Sequence, residues 1–311
     1  MRKRIFFIFF ILFFGVGVFS IPFFIFAQGT GLSVSPLTFE LTANPGDEIS
    51  NIVKVFNTGD SLTPVTMEAE DFSPVGEAGQ VAISPEESET YSLAKWVRIE
   101  PETFMLEPQE FKAVEFRVSV PLNAEPGGHY GSILASISGG TIAGGGTAIA
   151  QKVGALLLLQ VAGEVREQLS INTFEAPQFS EYGPITLASR FENTGTVHLK
   201  PRGFILIKDI LGREVAQLNL VQKNVLPDSI RKIETVLDKK YLFGRYEAIL
   251  TAIYGSANDP LSAVTTFWVI PWKITLGILL ALAIIIFYFF KTRKRWKTAI
   301  KILFKGEKTL S

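Results

Sequence analysis

Between Leu32 and Ile270 the apolar residues recur at every second position or in short unbroken runs. Each run stops at Gly, Pro, Asn or Asp. Period-two alternation marks strands with one buried face, and helical spacing is almost absent from this region. The pattern predicts strands near 32–41, 49–57, 63–72, 95–100, 111–120, 129–138 and 148–161. A second set follows near 165–173, 184–192, 203–209, 214–220, 230–237, 245–254 and 262–270. Pro45-Gly46-Asp47, Asn57-Thr58-Gly59-Asp60 and Pro126-Gly127-Gly128 carry turn chemistry between strands. Along Glu110–Val120, Phe111 and Ala113 fall on one register and Phe116, Val118 and Val120 on the other, which predicts a bulge or face switch at Val114–Glu115. Ala155–Gly163 is too short to span a bilayer and reads as a strand buried on both faces beside a domain boundary. The strand spacing predicts an all-β fold of two tandem immunoglobulin-like sandwiches, residues 28–163 and 164–270.

The halves repeat one plan. Asn57-Thr58-Gly59 matches Asn193-Thr194-Gly195, Pro108-Gln109 matches Pro227-Asp228, and Gly128-His129-Tyr130 matches Gly244-Arg245-Tyr246. The Asn-to-Pro gap is 51 (57 to 108) in the first copy and 34 (193 to 227) in the second, and residues 73–94 account for the excess as an inserted loop. Tyr130 and Tyr246, each opening a late strand after a Gly, are placed as structural corner residues.

The ends follow a different pattern. Basic Met1–Arg4 leads into apolar Ile5–Ala27, with Pro22 and small Ala27 near its end. This is a secretory signal over 1–27, either cleaved or kept as an anchor, because Ile25 stands where a small residue favours cleavage. Ile274–Phe290 is 17 residues without a charge. At ~1.5 Å per residue it just crosses a ~30 Å hydrocarbon core, with Lys273 and Lys291 able to snorkel and Trp268 and Trp272 suited to the outer interface. A buried soluble helix is the alternative. Against it, Lys291, Arg293, Lys294, Arg295, Lys297, Lys301, Lys305 and Lys308 face only Glu307 in the tail. The positive-inside rule then predicts a transmembrane helix over 271–290, a basic cytoplasmic tail over 291–311, and the bulk of the chain outside the cell membrane. Within the tail, Trp296, Ala299, Ile300, Leu303 and Phe304 recur at the spacing of an amphipathic helix lying on an anionic leaflet.

Overall neutrality conceals a separation of charge. Lys and Arg number 30, as do Asp and Glu, but residues 28–272 hold 18 basic against 29 acidic, a net of −11. All of it lies in 28–163, with 6 against 17, while 164–272 balances at 12 and 12. Such a surface repels polyanions and excludes a nucleic-acid partner.

Catalytic chemistry is scarce. Cys is 0 and His is 2, so disulfides, thiol catalysis and cysteine metal sites are excluded. His129 and His198 fit no metal-binding spacing, there is no Gly-x-Ser-x-Gly elbow, and Gly139–Thr147 lacks the Lys of a phosphate loop. Glu68 with Glu70, Glu86 with Glu87 and Glu100 with Glu102 have no aromatic sugar cleft beside them. Glu68, Glu70 and Asp60 read as either a weak calcium site or solvated surface. The expectation is a non-enzyme without cofactor or metal. Trp96 reads as an aromatic anchor or a core residue, and the loops 73–94 and 139–147, the latter through Gly144 and Gly145, are candidate contact surfaces.

Signal, acidic sandwich, second sandwich, C-terminal helix and basic tail together resemble the WxL-interacting proteins of Gram-positive surfaces, the DUF916 plus DUF3324 family. The local resemblance rests on Trp96-Val97, Leu106-Glu107-Pro108, Val118-Ser119-Val120-Pro121 and Pro126-Gly127-Gly128-His129-Tyr130-Gly131. In the second half it rests on Leu226-Pro227-Asp228-Ser229, Phe243-Gly244-Arg245-Tyr246 and Phe267-Trp268-Val269-Ile270, without the Met-rich stretch that precedes the Pro-x-Ser landmark in that family. The resemblance implies a bacterial surface protein whose first module contacts peptidoglycan and whose second contacts partner proteins, with no catalytic residues. The alternative function is a membrane-tethered assembly chaperone that holds secreted subunits by edge-strand pairing.

Overall fold

A computed structural model describes residues 31–84, 91–137, 141–142, 146–147 and 151–305. The signal expected over 1–27 lies outside the described residues. The first half forms β1 (Leu32–Ser35), β2 (Thr38–Ala43), β3 (Glu48–Asn57), β4 (Thr63–Val75), β5 (Gln80–Ser84), β6 (Val97–Glu100), β7 (Thr103–Leu106), β8 (Phe111–Ser119), β9 (Gly127–Ile137), the short pair β10 (Thr141–Ile142) and β11 (Gly146–Thr147), and β12 (Gln151–Val161). One sheet has the order β1-β3-β8-β6; the facing sheet runs β2-β12-β9-β4-β5, with β7 also on β4. The second half forms β13 (Leu169–Glu175), β14 (Phe179–Ser180), β15 (Ile185–Asn193), β16 (Arg202–Asp209), β17 (Glu214–Asn219), β18 (Ser229–Leu237), β19 (Gly244–Tyr254) and β20 (Asp259–Val269). Its sheets are β13-β15-β18 and β14-β20-β19-β16-β17. The chain is therefore all-β, two immunoglobulin-like sandwiches followed by one helix, α1 (Trp272–Lys305).

Each sandwich closes over its own core. In the first, Phe116 is fully buried and meets Phe39 edge-on at 4.9 Å. In the second, Phe191 and Phe267 are fully buried, and Phe267 stacks on Tyr246 at 5.5 Å. The expected first strand is broken at Pro36, which has no N–H to donate. The chain uses the break to change sheets: β1 pairs antiparallel with β3, and β2 pairs parallel with β12. The expected bulge in β8 does not form. Its register against β3 is unbroken from Glu48↔Ser119 to Phe56↔Phe111. Val114, Phe116 and Val118 point inward, while Phe111 is an outer-face aromatic packed on Phe56 at 5.4 Å. A surface aromatic imitated a register switch. Nor is the insert over 73–94 only a loop, since β4 extends into it and turns back as β5.

The repeat landmarks are backbone devices. Asn57 and Asn193 are buried, and each amide spans the end of its sandwich. Asn57 Nδ2 donates to the carbonyls of Ser61, Leu106 and Glu107, and Asn193 Nδ2 to those of Val197 and Val225. The Oδ1 of each accepts the N–H two residues on, from Gly59 and Gly195. Gln109 and Asp228, each after its Pro, share the left-handed conformation, with φ of 60° and 53°.

Trp272–Thr292 of α1 has a mean hydropathy of 2.4, and none of it is buried against the sandwiches. It is long and apolar enough to cross a membrane. The helix runs on past the apolar stretch into the tail, where the sequence also predicted helical spacing. It continues through Arg293, Lys294 and Arg295 to Lys305.

Candidate functional site

The two sandwiches meet end to side, and the residues that join them surround a cleft. On the first, Thr38 and Glu40 of β2, Leu156 and Leu158 of β12, Phe72 of β4, and Gly79 and Val81 of the β4–β5 hairpin face the junction. Lys200, the 222–226 loop and Arg231 of β18 face it from the second. The cleft encloses about 310 Å³. The strand pattern explains its floor. Leu157 and Leu159 point into the first core, so the intervening Leu158 must point out, and it packs with Phe72 and Tyr130 in a separate seam cluster with Tyr91 and Leu226. This is the strand expected to be buried on both faces beside a domain boundary.

Polar ties fix the seam. Gly128 N–H donates to the Thr196 carbonyl at 2.8 Å, and Lys232 N–H to the Glu77 carbonyl at 2.8 Å. The Glu77 carboxylate takes Arg190 Nε at 2.6 Å, and Tyr91 Oη donates to Asp228 Oδ2 at 3.2 Å. Lys200 Nζ pairs with Glu40 at 2.5 and 2.8 Å, and Asn224 Nδ2 donates to the same carboxylate at 2.7 Å.

Two polar atoms in the cleft are left over. A carboxylate only accepts, so Asn224 must turn Nδ2 toward Glu40, which leaves its buried Oδ1 without a partner. The Arg231 guanidinium lies over Gly79, where any Cβ would collide with it, and its buried Nε also has no partner among the described residues. Burial pushes the Arg231 guanidinium below its usual pKa. Since Glu40 is spent on Lys200, the Arg231 cation has no carboxylate partner among the described residues, while Lys223 faces the charge of Glu234. The Arg231 cation beside an apolar floor suits a ligand with an anionic group and apolar surface.

The titratable ties predict a pH response. The Lys200 hydrogen bond holds the Glu40 carboxyl below the usual range against its desolvation, so this tie is present above that range and is lost as pH falls through it. Burial lowers His198, whose Nδ1 lies 3.4 Å from Tyr130 Oη across the seam. The unfolded chain takes up that proton first, so stability declines as pH drops below about 6.5. Denaturant titration from pH 8 to 4 is expected to show both losses, and His198→Asn should remove the upper one alone.

The sequence-predicted residues scatter. Trp96 is half-buried in a short turn, packed on the first core and on the His129 ring at 4.4 Å, not in the cleft. Asp71 holds that turn by accepting from the N–H groups of Leu93 and Ala94. Gly144 and Gly145 lie outside the described residues. Tyr246 is a corner residue: its Oη accepts from Phe243 N–H and donates to the Phe243 carbonyl. Tyr130 is not one, because its hydroxyl crosses to the second sandwich instead of closing its own. Glu68 and Glu70 share Lys152 at 2.8 and 2.6 Å, and no metal-binding cluster occurs among the described residues. Glu100 and Glu102 line a separate polar groove with Arg98. Trp268, Trp272 and Lys273 stand where β20 passes into α1, and Lys291 is near the end of the apolar stretch, its Nζ 6.0 Å from the Phe287 ring.

Sequence reasoning missed Arg231, Asn224, Glu40 and Lys200. Isolated polar residues on strands and loops have no spacing signature, and only the fold brings these four together.

No family model and no curated protein matches the chain. Among solved structures it is similar to the class 5 fimbriae chaperone CfaA, at 11% identity and a TM-score of 0.38, over 76% of this chain and 99% of that one. It is also similar to the E. coli chaperone DraB, at 12% and 0.36 over 78% and 98%. The PapD-like domain 7 of human CEP192 matches at 13% and 0.29 over 43% and 87%. At such identities and TM-scores, these likenesses decide nothing about ligand or partner.

Proposed function

We propose that this chain is a membrane-anchored binding protein of the bacterial cell surface, non-catalytic, which takes an exported protein partner in the cleft between its sandwiches. The observation that carries this reading is the pairing of an apolar floor with the Arg231 guanidinium, which no carboxylate among the described residues pairs with. A polypeptide segment with an apolar side chain beside an acidic group supplies both complements, hydrophobic surface and anion. A wall glycan would call for exposed aromatic platforms, and among the described residues the only aromatic lining the cleft, Phe72, is buried. The apolar α1 and the basic residues after it support an anchor with the sandwiches outside, as does the resemblance of the order of parts to WxL-interacting proteins. The test offers immobilised full-length protein in detergent to the organism's surface proteins and to its insoluble wall. Retention of discrete proteins, lost in Arg231→Gln, is expected; wall binding alone would replace the protein partner by polymer, and clean failure of both would overturn the reading.

One observation favours the chaperone as a second reading. Strand β2 pairs with β12 only over Leu156–Val161, so Gln151–Ala155 has no strand ladder on that side among the described residues, and β1 meets it there through the Leu32 N–H on Gln151 Oε1. An extended client could pair there. This reading predicts capture of unfolded subunits and none of folded ones.

A further inference from the structure

The end of the second sandwich opposite the cleft exposes a ring of large apolar side chains. The register places them together. Gly244 faces Val269 and Asp209 faces Tyr246, so the β16–β17 turn, the β18–β19 loop and the end of β20 share one end. Gly183 N–H donates to the Lys240 carbonyl there, which adds the loop before β15. Ile210 and Leu211 at the turn are 70% and 72% exposed, and Tyr241 and Phe243 of the β18–β19 loop 88% and 69%. Tyr182, Trp268 and Trp272 complete the ring, each about half exposed. Three separate connections have placed uncovered apolar residues at the same height, where loop tips are ordinarily polar.

Only Ile270 and Pro271 separate β20 from α1, and Lys273 Nζ is tied to Glu181 Oε2 of the neighbouring loop at 2.8 Å. So short a connection leaves this end no room to stand away from whatever surface the helix enters. We infer that the base of the second sandwich is a lipid-contact face, seated in the headgroup region of the bilayer that α1 crosses. The inference rests on α1 being a membrane span. Tyr and Trp favour the water–lipid boundary, and Ile210 and Leu211 are placed to reach below it. Seating would orient the molecule: β20, with 11 residues at roughly 3.4 Å each, would lift the cleft some 35 Å off the membrane.

The chain has no cysteine, so single labelling sites can be introduced. Full-length protein in nanodiscs would carry an environment-sensitive fluorophore at Leu211→Cys, Tyr241→Cys, Leu62→Cys or Ile284→Cys, with nitroxide-bearing lipids as quenchers. Leu62 is exposed in the turn after β3 of the first sandwich and serves as the distant control. Several-fold stronger quenching at positions 211 and 241 by headgroup-level nitroxide than at 62, with 284 quenched by a deep nitroxide, is expected. Quenching at 284 with 211 and 241 no different from 62 would overturn the seating and leave the span intact. Absence of quenching at 284 would overturn the span, and the seating with it.

Discussion

Asn193→Ala is expected to destabilise the second sandwich by about 2–4 kcal/mol, because it leaves two buried backbone groups unpaired that each cost roughly 1–3 kcal/mol. The side chain is fully buried, and two groups depend on its amide alone, the Val197 carbonyl and the Gly195 N–H, while the Val225 carbonyl keeps the N–H of Leu199. Alanine satisfies neither of the two, and the pocket it leaves is closed to solvent. Asn193→Asp should recover only the Gly195 contact, since a carboxylate cannot donate to carbonyls. Urea unfolding of residues 28–270 would show the midpoint falling with an unchanged slope. A loss within about 0.5 kcal/mol, the range of an ordinary surface change, would show that the repeated Asn does not hold the strand ends together.

The second large effect is expected at Gly79. This residue sits at φ +82°, and an added Cβ would fall 1.4 Å from Arg231 Nη1. Gly79→Val therefore imposes backbone strain of about 1–3 kcal/mol on the hairpin and displaces the guanidinium that rests on it. Glu77, two residues away, holds the second sandwich through both its carbonyl and its carboxylate. Freeing the hairpin is expected to release one sandwich from the other while both cores persist. Single-molecule energy transfer between dyes at Leu62→Cys and Leu211→Cys would report a broadened distance distribution in the variant. A distribution as narrow as that of the parent would mean that the remaining ties suffice to fix the angle.

Much of the fold was legible because alternation is a local signal. The strands from β13 to β20 follow the apolar period closely, and the paired Asn-x-Gly motifs announced the twin strand ends before their partners were known. Failures came where a residue's neighbours are distant in sequence. Phe111 looked like a core residue out of register because nothing local shows that it packs beside Phe56 on the outer face. Tyr130 shared the position of Tyr246, but the presence of a second sandwich above it redirected its hydroxyl to His198. The hairpin over 73–84 looked like a loop because its Pro, Gly and Glu content suits solvent, whereas its carboxylate and backbone are used on the other sandwich. The cleft was invisible for the same reason. Glu40 and Lys200 are 160 positions apart, and Arg231 acquires its character only by lying over a glycine of the other sandwich.

The central claim is that a partner enters the cleft between the two sandwiches on the outer side of the membrane. Photocross-linking in living cells tests it most directly, with a photoreactive side chain placed at Lys223 in the cleft or, as a control, at Leu62. The account predicts a discrete protein adduct from position 223, none from 62, and loss of the adduct when Arg231→Gln is added. Equal labelling from both positions, or an adduct from 223 that is indifferent to Arg231, would contradict it.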